Sequence, residues 1–164
     1  MLRTHTAGEL TKKDAGKQVI LAGWADHIRI HGKIGFINLR DRYGITQVVL
    51  SKELVGKVKD LKRESVLQIK GKVKARPSNL VNKDMETGAI ELEASHIEIL
   101  NPAEPLPLEL DEKIESTEET RLKYRYIDLR KPRLQKNLIT RHRIIKSIRD
   151  YLDMQQFIEI ETPI

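Results

Sequence analysis

Three kinds of residue in this 164-residue chain have types and spacings that could do chemistry together: the aromatic Phe36, the amide Gln47, and a row of cations at Lys70, Lys72, Lys74 and Arg76. An open ring can stack on a base, a primary amide can donate to and accept from a base edge, and ammonium or guanidinium groups can hold phosphates. Together they are what an unpaired nucleic acid needs. Each also has a plainer reading. Phe36 could fill the end of a core, Gln47 could be an ordinary surface amide, and the cations could be a solvated strand face kept for solubility. It is the combination that points to binding.

No competing catalytic set is present in the sequence. The histidines at 5, 27, 31, 96 and 142 lack metal-ligand spacing, and cysteine is absent. The "GKIG" at 32–35 is too short for a phosphate-binding loop, so its glycines read as turn and strand punctuation. Glu159 and Glu161 resemble paired acids, but alternating with Ile158 and Ile160 they read as the polar side of a strand. No serine or cysteine nucleophile has an evident base. No catalytic residue and no metal ligand is therefore assigned.

The composition, 39% apolar and 33% charged, is that of a folded globular chain, without an apolar run near the ~18 residues of a membrane span. The start, "MLRTHTAGEL", carries no secretory pattern, and the lack of cysteine fits the cytosol, so a cytoplasmic location is expected. The net charge of +6 is uneven. Residues 1–103 hold 18 Lys/Arg against 12 Asp/Glu, and the remainder holds 12 of each. Any polyanion should therefore meet the first part.

To put Phe36 and Gln47 on one surface, the first hundred residues must form strands. Alternation and turn signals predict them near 17–30, 34–40, 45–51, 65–76 and 88–99, with one helix over "SKELVGKVKDLKRE", where Leu54, Val58 and Leu61 make a narrow apolar stripe. The class is mainly β. Five strands with a helix between the third and fourth is the pattern of an OB-fold barrel, with an SH3-like barrel as the alternative. A four-residue hairpin loop, "DRYG" at 41–44, would set Arg40 opposite Ile45, Asn38 opposite Gln47 and Phe36 opposite Val49, bringing Gln47 onto the Phe36 face. A slip of one residue would remove it. In the fourth strand Gln68, Lys70, Lys72, Lys74 and Arg76 should face out, with Leu67, Ile69, Val73 and Ala75 inward.

Beyond residue 103 the character changes. Prolines at 102, 105 and 107 and an acidic run through Glu119 predict a stiff connector. Ser116 and Glu119 form a capping-box pattern for a short helix reaching about Arg130, and Pro132 suits the first turn of a second helix. That helix carries Leu134, Leu138, Ile145, Ile148 and Leu152 on one face, and "FIEIETPI" predicts a closing strand. The organisation expected is 1–103, a binding barrel; 104–131, a hinge; and 132–164, a helix and strand with no sheet of their own to join, as though cut within a larger domain.

"RTHTAGEL", "LAGWADHIRIHGKIGFINLRDRYGITQVV", "RLKYRYIDLRKP" and "FIEIETP" together resemble the N-terminal part of a bacterial-type aspartyl-tRNA synthetase, over nearly the whole chain. The resemblance implies an OB-fold anticodon-binding domain, a helical hinge and the first class II motif of a truncated α/β catalytic domain, its strand ending at Pro163. It implies that Phe36 stacks on a central anticodon uridine and that Gln47 bonds the edge of that base. Arg29, Arg76, Asn82 and Glu91 match positions contacting the neighbouring nucleotides, with Glu91 toward the first-position guanine. His31 matches a position bearing on tolerance for the asparagine tRNA, and Lys70, Lys72 and Lys74 are left to phosphates. The parent enzyme would be a homodimeric ligase that uses ATP and Mg²⁺ to activate aspartate and charge tRNA, while the chain itself would need no cofactor and hold no catalytic residue. Asparaginyl- and lysyl-tRNA synthetases share the fold and the central uridine. A free-standing OB module for single-stranded nucleic acid is the alternative outside the synthetases.

Overall fold

The computed structural model describes residues 1–111 and 113–163. The chain divides into two units, Met1–Pro105 and Leu106 onward. In the first, strands β1 (Gln18–His31), β2 (Ile34–Arg40), β3 (Ile45–Leu50), β4 (Val66–Ala75) and β5 (Ile90–Asn101) close into a barrel in the order β1-β2-β3-β5-β4, with helix α1 (Lys52–Lys57) between β3 and β4. This is the OB arrangement and not the SH3-like one. The long β1 serves two neighbours: Gln18 to Trp24 pair with β4, and Trp24 to His31 pair with β2 across a bulge between Ala25 and His27. A bulge bends a strand and re-aims its side chains, as barrel closure requires.

Period-2 alternation fills the interior. Val19, Leu21, Ile37, Leu39, Val48, Leu50, Leu67, Ile69, Val73, Ile90 and Leu92 are all buried in one cluster, which Leu54 and Val58 join from the helical segment. The helix is shorter than the sequence predicts. Glu64 N–H bonds Ala25 O and Ala25 N–H bonds Ser65 O, so the chain must leave its helix early to be tied to β1, and Glu64 adopts φ 67° in doing so. At the far end of β4, Ala75 is exposed rather than inward, because the strand ends there.

The β2–β3 connection is held by one carboxylate. Asp41 is buried and accepts from Tyr43 N–H (2.7 Å), Gly44 N–H (3.1 Å), Ala7 N–H (2.9 Å) and Arg3 Nη1 (3.0 Å). Thr46 Oγ1 donates to Ala7 O at 2.6 Å, so the N-terminal segment is bound across the turn. The two backbones meet so closely that a Cβ on Gly8 would lie 2.2 Å from Tyr43 O. The resulting register is Phe36↔Val49, Asn38↔Gln47 and Arg40↔Ile45, as the loop length predicts.

In the second unit, helices α2 (Glu118–Lys123) and α3 (Arg125–Asp128) replace the single helix expected. The cap is Thr117, whose side chain accepts from Thr120 N–H, one residue later than the Ser116 pattern. The break falls at Tyr124, which packs against a small core of Leu108, Leu110 and Ile127. Buried Asp128 gathers Arg121 Nε (3.2 Å), Arg125 Nη1 (2.6 Å) and Lys131 Nζ (3.7 Å). Helix α4 (Pro132–Met154) has proline in its first turn as expected. Of its apolar face only Leu134 is buried, while Leu138, Ile145, Ile148 and Leu152 are exposed. The expected strand at 157–163 does not form: these residues pair with no other strand, and Glu159 instead accepts from Arg149 (Nη2, 2.7 Å). A strand needs a neighbour to satisfy its backbone, and Ile164, the end of that expected strand, lies outside the described residues. Among the described residues no helix is long and apolar enough to cross a membrane.

Two stability tests follow from the buried carboxylates. Asp41→Ala leaves buried N–H groups without an acceptor and should lower unfolding stability by about 2–4 kcal/mol in a urea melt. For Asp128, burial pushes its pKa up, but the Arg121 hydrogen bond and the charges of Arg121, Lys131 and Arg125 outweigh this and hold it below the usual carboxylate value. Its stabilisation should be complete above the unfolded carboxylate pKa of about 3.9 and disappear as pH falls through the lowered folded value. Asp128→Asn should remove that part of the acid dependence, measured by far-UV circular dichroism from neutral to acid pH.

Candidate nucleic-acid interface

The registers place the outward side chains of the barrel on a lattice. Across β1, β2 and β3 one row reads Arg29, Phe36, Val49 and the next reads His27, Asn38, Gln47. The parallel pairing of β3 with β5 sets Val49 beside Glu93, and alternation puts Gln47 and Glu91, two residues before each, on the same outward face. The antiparallel β4–β5 ladder then adds Lys72 opposite Glu93 and Lys74 opposite Glu91. Phe36, Gln47, Glu91 and Lys74 therefore share one continuous surface. Phe36 and Gln47 are both half-buried. The rim of the Phe36 ring is guarded by His31, whose ring lies 6.5 Å away at 60°, and Arg29 stands exposed directly opposite on β1.

The cations are less uniform than the sequence suggests. Arg76 does not continue the exposed row: it lies past the end of β4, is 8% exposed, and turns Nε to within 3.6 Å of Glu91 Oε2. Its backbone N–H donates to Ala89 O, which draws it against β5. Lys74 is exposed but bound to Glu93 Oε1 at 2.6 Å. Lys72 is exposed, and Lys70 lies further along β4 opposite His96. Asn82 belongs to the loop 77–87, where its Oδ1 accepts from Asp84 N–H at 2.9 Å and its own N–H donates to Gly88 O. Pro163 belongs to the other unit.

Two residues of this surface have polar atoms that the fold leaves unsatisfied. Among the described residues, the buried side-chain atoms without a hydrogen-bond partner are Asn38 Oδ1, Arg76 Nε and Arg76 Nη2. Folded proteins pair the great majority of such atoms, and here the exceptions fall on the Phe36 face. Asn38 and Glu93 are the residues sequence reasoning passed over. Register alone sets Asn38 opposite Gln47, whereas Glu93 shows its grip on Lys74 only once β5 is paired.

A barrel that offers a half-open ring, a two-way amide and unsatisfied guanidinium nitrogens on one face is a nucleic-acid-binding module of the OB class. The family of OB-fold nucleic acid binding domains matches residues 19–100, half of the chain, and the chain belongs to it. Residues 117–164 match the class II tRNA synthetases (D, K and N). At the sequence level the chain is 53% identical to the aspartate–tRNA(Asp/Asn) ligase of Thermotoga maritima and 51% identical to the aspartate–tRNA ligase of Pseudothermotoga lettingae. Each match covers 99% of this chain and 28% of the relative, so the chain spans little more than a quarter of these proteins. It aligns with their N-terminal region, bearing out the expected family. Among solved structures, the asparaginyl-tRNA synthetase of Pyrococcus horikoshii superposes with TM-score 0.85 at 27% identity, over 100% of this chain and 37% of that one. The aspartyl-tRNA synthetase of Entamoeba histolytica superposes with TM-score 0.89 at 24% identity, over 99% and 39%, a likeness of fold.

The Arg76–Glu91 pair is poorly satisfied in the free protein, so the two partners should behave unequally. Arg76→Met should leave stability within about 1 kcal/mol of the parent, or raise it, because an apolar chain of similar length removes a buried charge. Glu91→Gln should cost about 1–2 kcal/mol, since it strands the guanidinium while Glu91 itself is partly solvated. Thermal melts of the two variants at neutral pH compare them directly.

Proposed function

We propose that the Phe36 face reads the anticodon of an aspartate tRNA, as the anticodon-binding part of an ATP-dependent aspartate–tRNA ligase acting in the cytoplasm. The observation that carries this is the half-open Phe36 ring with Gln47 one lattice step away on the same surface. Phe36 stacks on the central uridine and Gln47 bonds its edge. Glu91, partly exposed and on the same face as Gln47, meets the first nucleotide, while Arg76, Arg29 and Asn82 hold the neighbours. His31, at the rim of the Phe36 ring, bears on whether the asparagine tRNA is also accepted. Relatives named for both tRNAs and for one support either outcome. Lys70 and Lys72 meet phosphates directly, and Lys74 does so on leaving Glu93.

In this reading 1–103 is the binding domain, 104–131 the hinge, and 132–164 the first segment of the catalytic domain. The exposed face of α4, with Pro163 beyond it, belongs to the homodimer interface of the intact ligase. ATP and Mg²⁺ supply the activation of aspartate in such a ligase, and no residue of this chain is assigned to hold them. The match of 117–164 to class II synthetases favours this reading over a free-standing OB module.

Base–aromatic stacking is worth about 1–3 kcal/mol by alanine substitution, so Phe36→Ala should weaken binding of an aspartate-tRNA anticodon stem-loop roughly 5- to 150-fold at fixed salt. The melting temperature should stay close to the parent's, since the ring is only half-buried. Lys72→Ala should weaken all RNAs alike and reduce the salt slope by about one counterion. Unchanged stem-loop affinity for a folded Phe36→Ala protein would overturn the assignment.

A further inference from the structure

Asn38 occupies the middle of the reading face. Phe36 precedes it by two residues on the same strand, and His27 and Gln47 are its cross-strand partners. Its Oδ1 is buried without a hydrogen-bond partner, although the residue as a whole is only half-buried. A buried carbonyl with no donor is costly, and the group directly opposite it carries a donor. Side chains opposed in an antiparallel pair have Cβ atoms about 4.5–5.5 Å apart, within reach of a glutamine amide.

Gln47 by itself is ambiguous. A half-turn of its amide exchanges donor and acceptor, and with them the base edge it fits. Uridine presents N3–H flanked by carbonyl oxygens, whereas cytidine presents a bare N3 beside an amino group. The two pyrimidines thus demand opposite orientations of the same side chain.

We propose that Asn38 is a positioning residue that fixes the amide of Gln47 for uridine. When the base docks, Asn38 Oδ1 takes one Nε2 hydrogen of Gln47, a bond not made in the free protein. The other Nε2 hydrogen and Oε1 are then turned toward the base, where they meet a uridine carbonyl and N3–H. Cytidine meets the wrong pattern. This rests on the anticodon reading given above and adds to it the source of pyrimidine choice.

The test uses two anticodon stem-loops differing only in a central U or C, titrated at fixed salt against the 164-residue chain and its variants. A bidentate contact discriminates by about 1–3 kcal/mol, so the parent should prefer U by roughly 5- to 150-fold. Asn38→Leu should reduce that preference at least about fivefold with an unchanged melting temperature, and Asn38→Ala serves if the leucine variant does not fold. Asn38→Asp, which keeps the acceptor, should retain the preference, whereas Asn38→Leu, of similar shape but without an acceptor, loses it, a contrast that a packing role would not produce. In a Gln47→Ala background, Asn38→Leu should have no further effect on the U-to-C ratio. An Asn38→Leu protein with the parent's ratio, or one that binds both loops equally more weakly, would overturn the inference. If Phe36→Ala and Gln47→Ala weaken binding while Asn38→Leu keeps the ratio, only this inference fails. If Phe36→Ala changes nothing, the anticodon reading falls and takes this inference with it.

Discussion

The carboxylate of Asp41 is the constraint on which the rest of the barrel depends. By accepting from Tyr43 and Gly44 it closes the β2–β3 turn at one length, and by accepting from Ala7 and Arg3 it fastens the N-terminal segment across that turn. A strand's side chains alternate between faces, so this one turn decides what faces out. With the turn closed as it is, Ile37, Leu39, Val48 and Leu50 enter the core, and Phe36, Asn38 and Gln47 are left outside as a set. Core formation and the binding surface are thus two outcomes of one register.

The surface so formed is not optimised for the free protein. Arg76 is held almost out of water with two nitrogens that lack hydrogen bonds, Nε having only the 3.6 Å ion pair with Glu91, and Asn38 keeps a buried oxygen without a donor. Elsewhere in the barrel, buried polar groups are matched: Asp41 has four donors, and Arg40 pairs with Glu64 and, at 3.4 Å, with Asp26. The contrast sets the Phe36 face apart from the rest of the barrel.

What could be read from the sequence was whatever depends on near neighbours in the chain. Phe36 and Gln47 share a face because eleven positions and one short loop separate them, and period-2 counting survives that distance. The inward and outward residues of β4 were equally legible up to Lys74. Arg76 was not, because its place is set by Ala89 and Glu91 where β5 begins. The lysine row looked uniformly free because Glu93, which neutralises Lys74, comes alongside only through pairing. Ser116 lost the helix cap to its neighbour Thr117, a choice between two side chains of like chemistry. The 157–163 strand failed for a different reason: the sequence has the propensity, but propensity supplies no pairing partner.

The parallel contact of β3 with β5 has a consequence for how the protein comes into being. Antiparallel β1, β2 and β3 follow one another in the chain and can pair as soon as they are made. The Val48↔Leu92 and Val49↔Glu93 pairs must wait until α1, β4 and the loop 77–87 have been laid down between them. Contacts so distant in sequence carry the loop-closure entropy that slows folding, so this seam closes late. Phe36, Asn38 and Gln47 belong to the early meander, and Glu91 and Arg76 to the late closure. A folding chain should therefore pair the strands that carry Phe36, Asn38 and Gln47 before it brings β5 alongside β3.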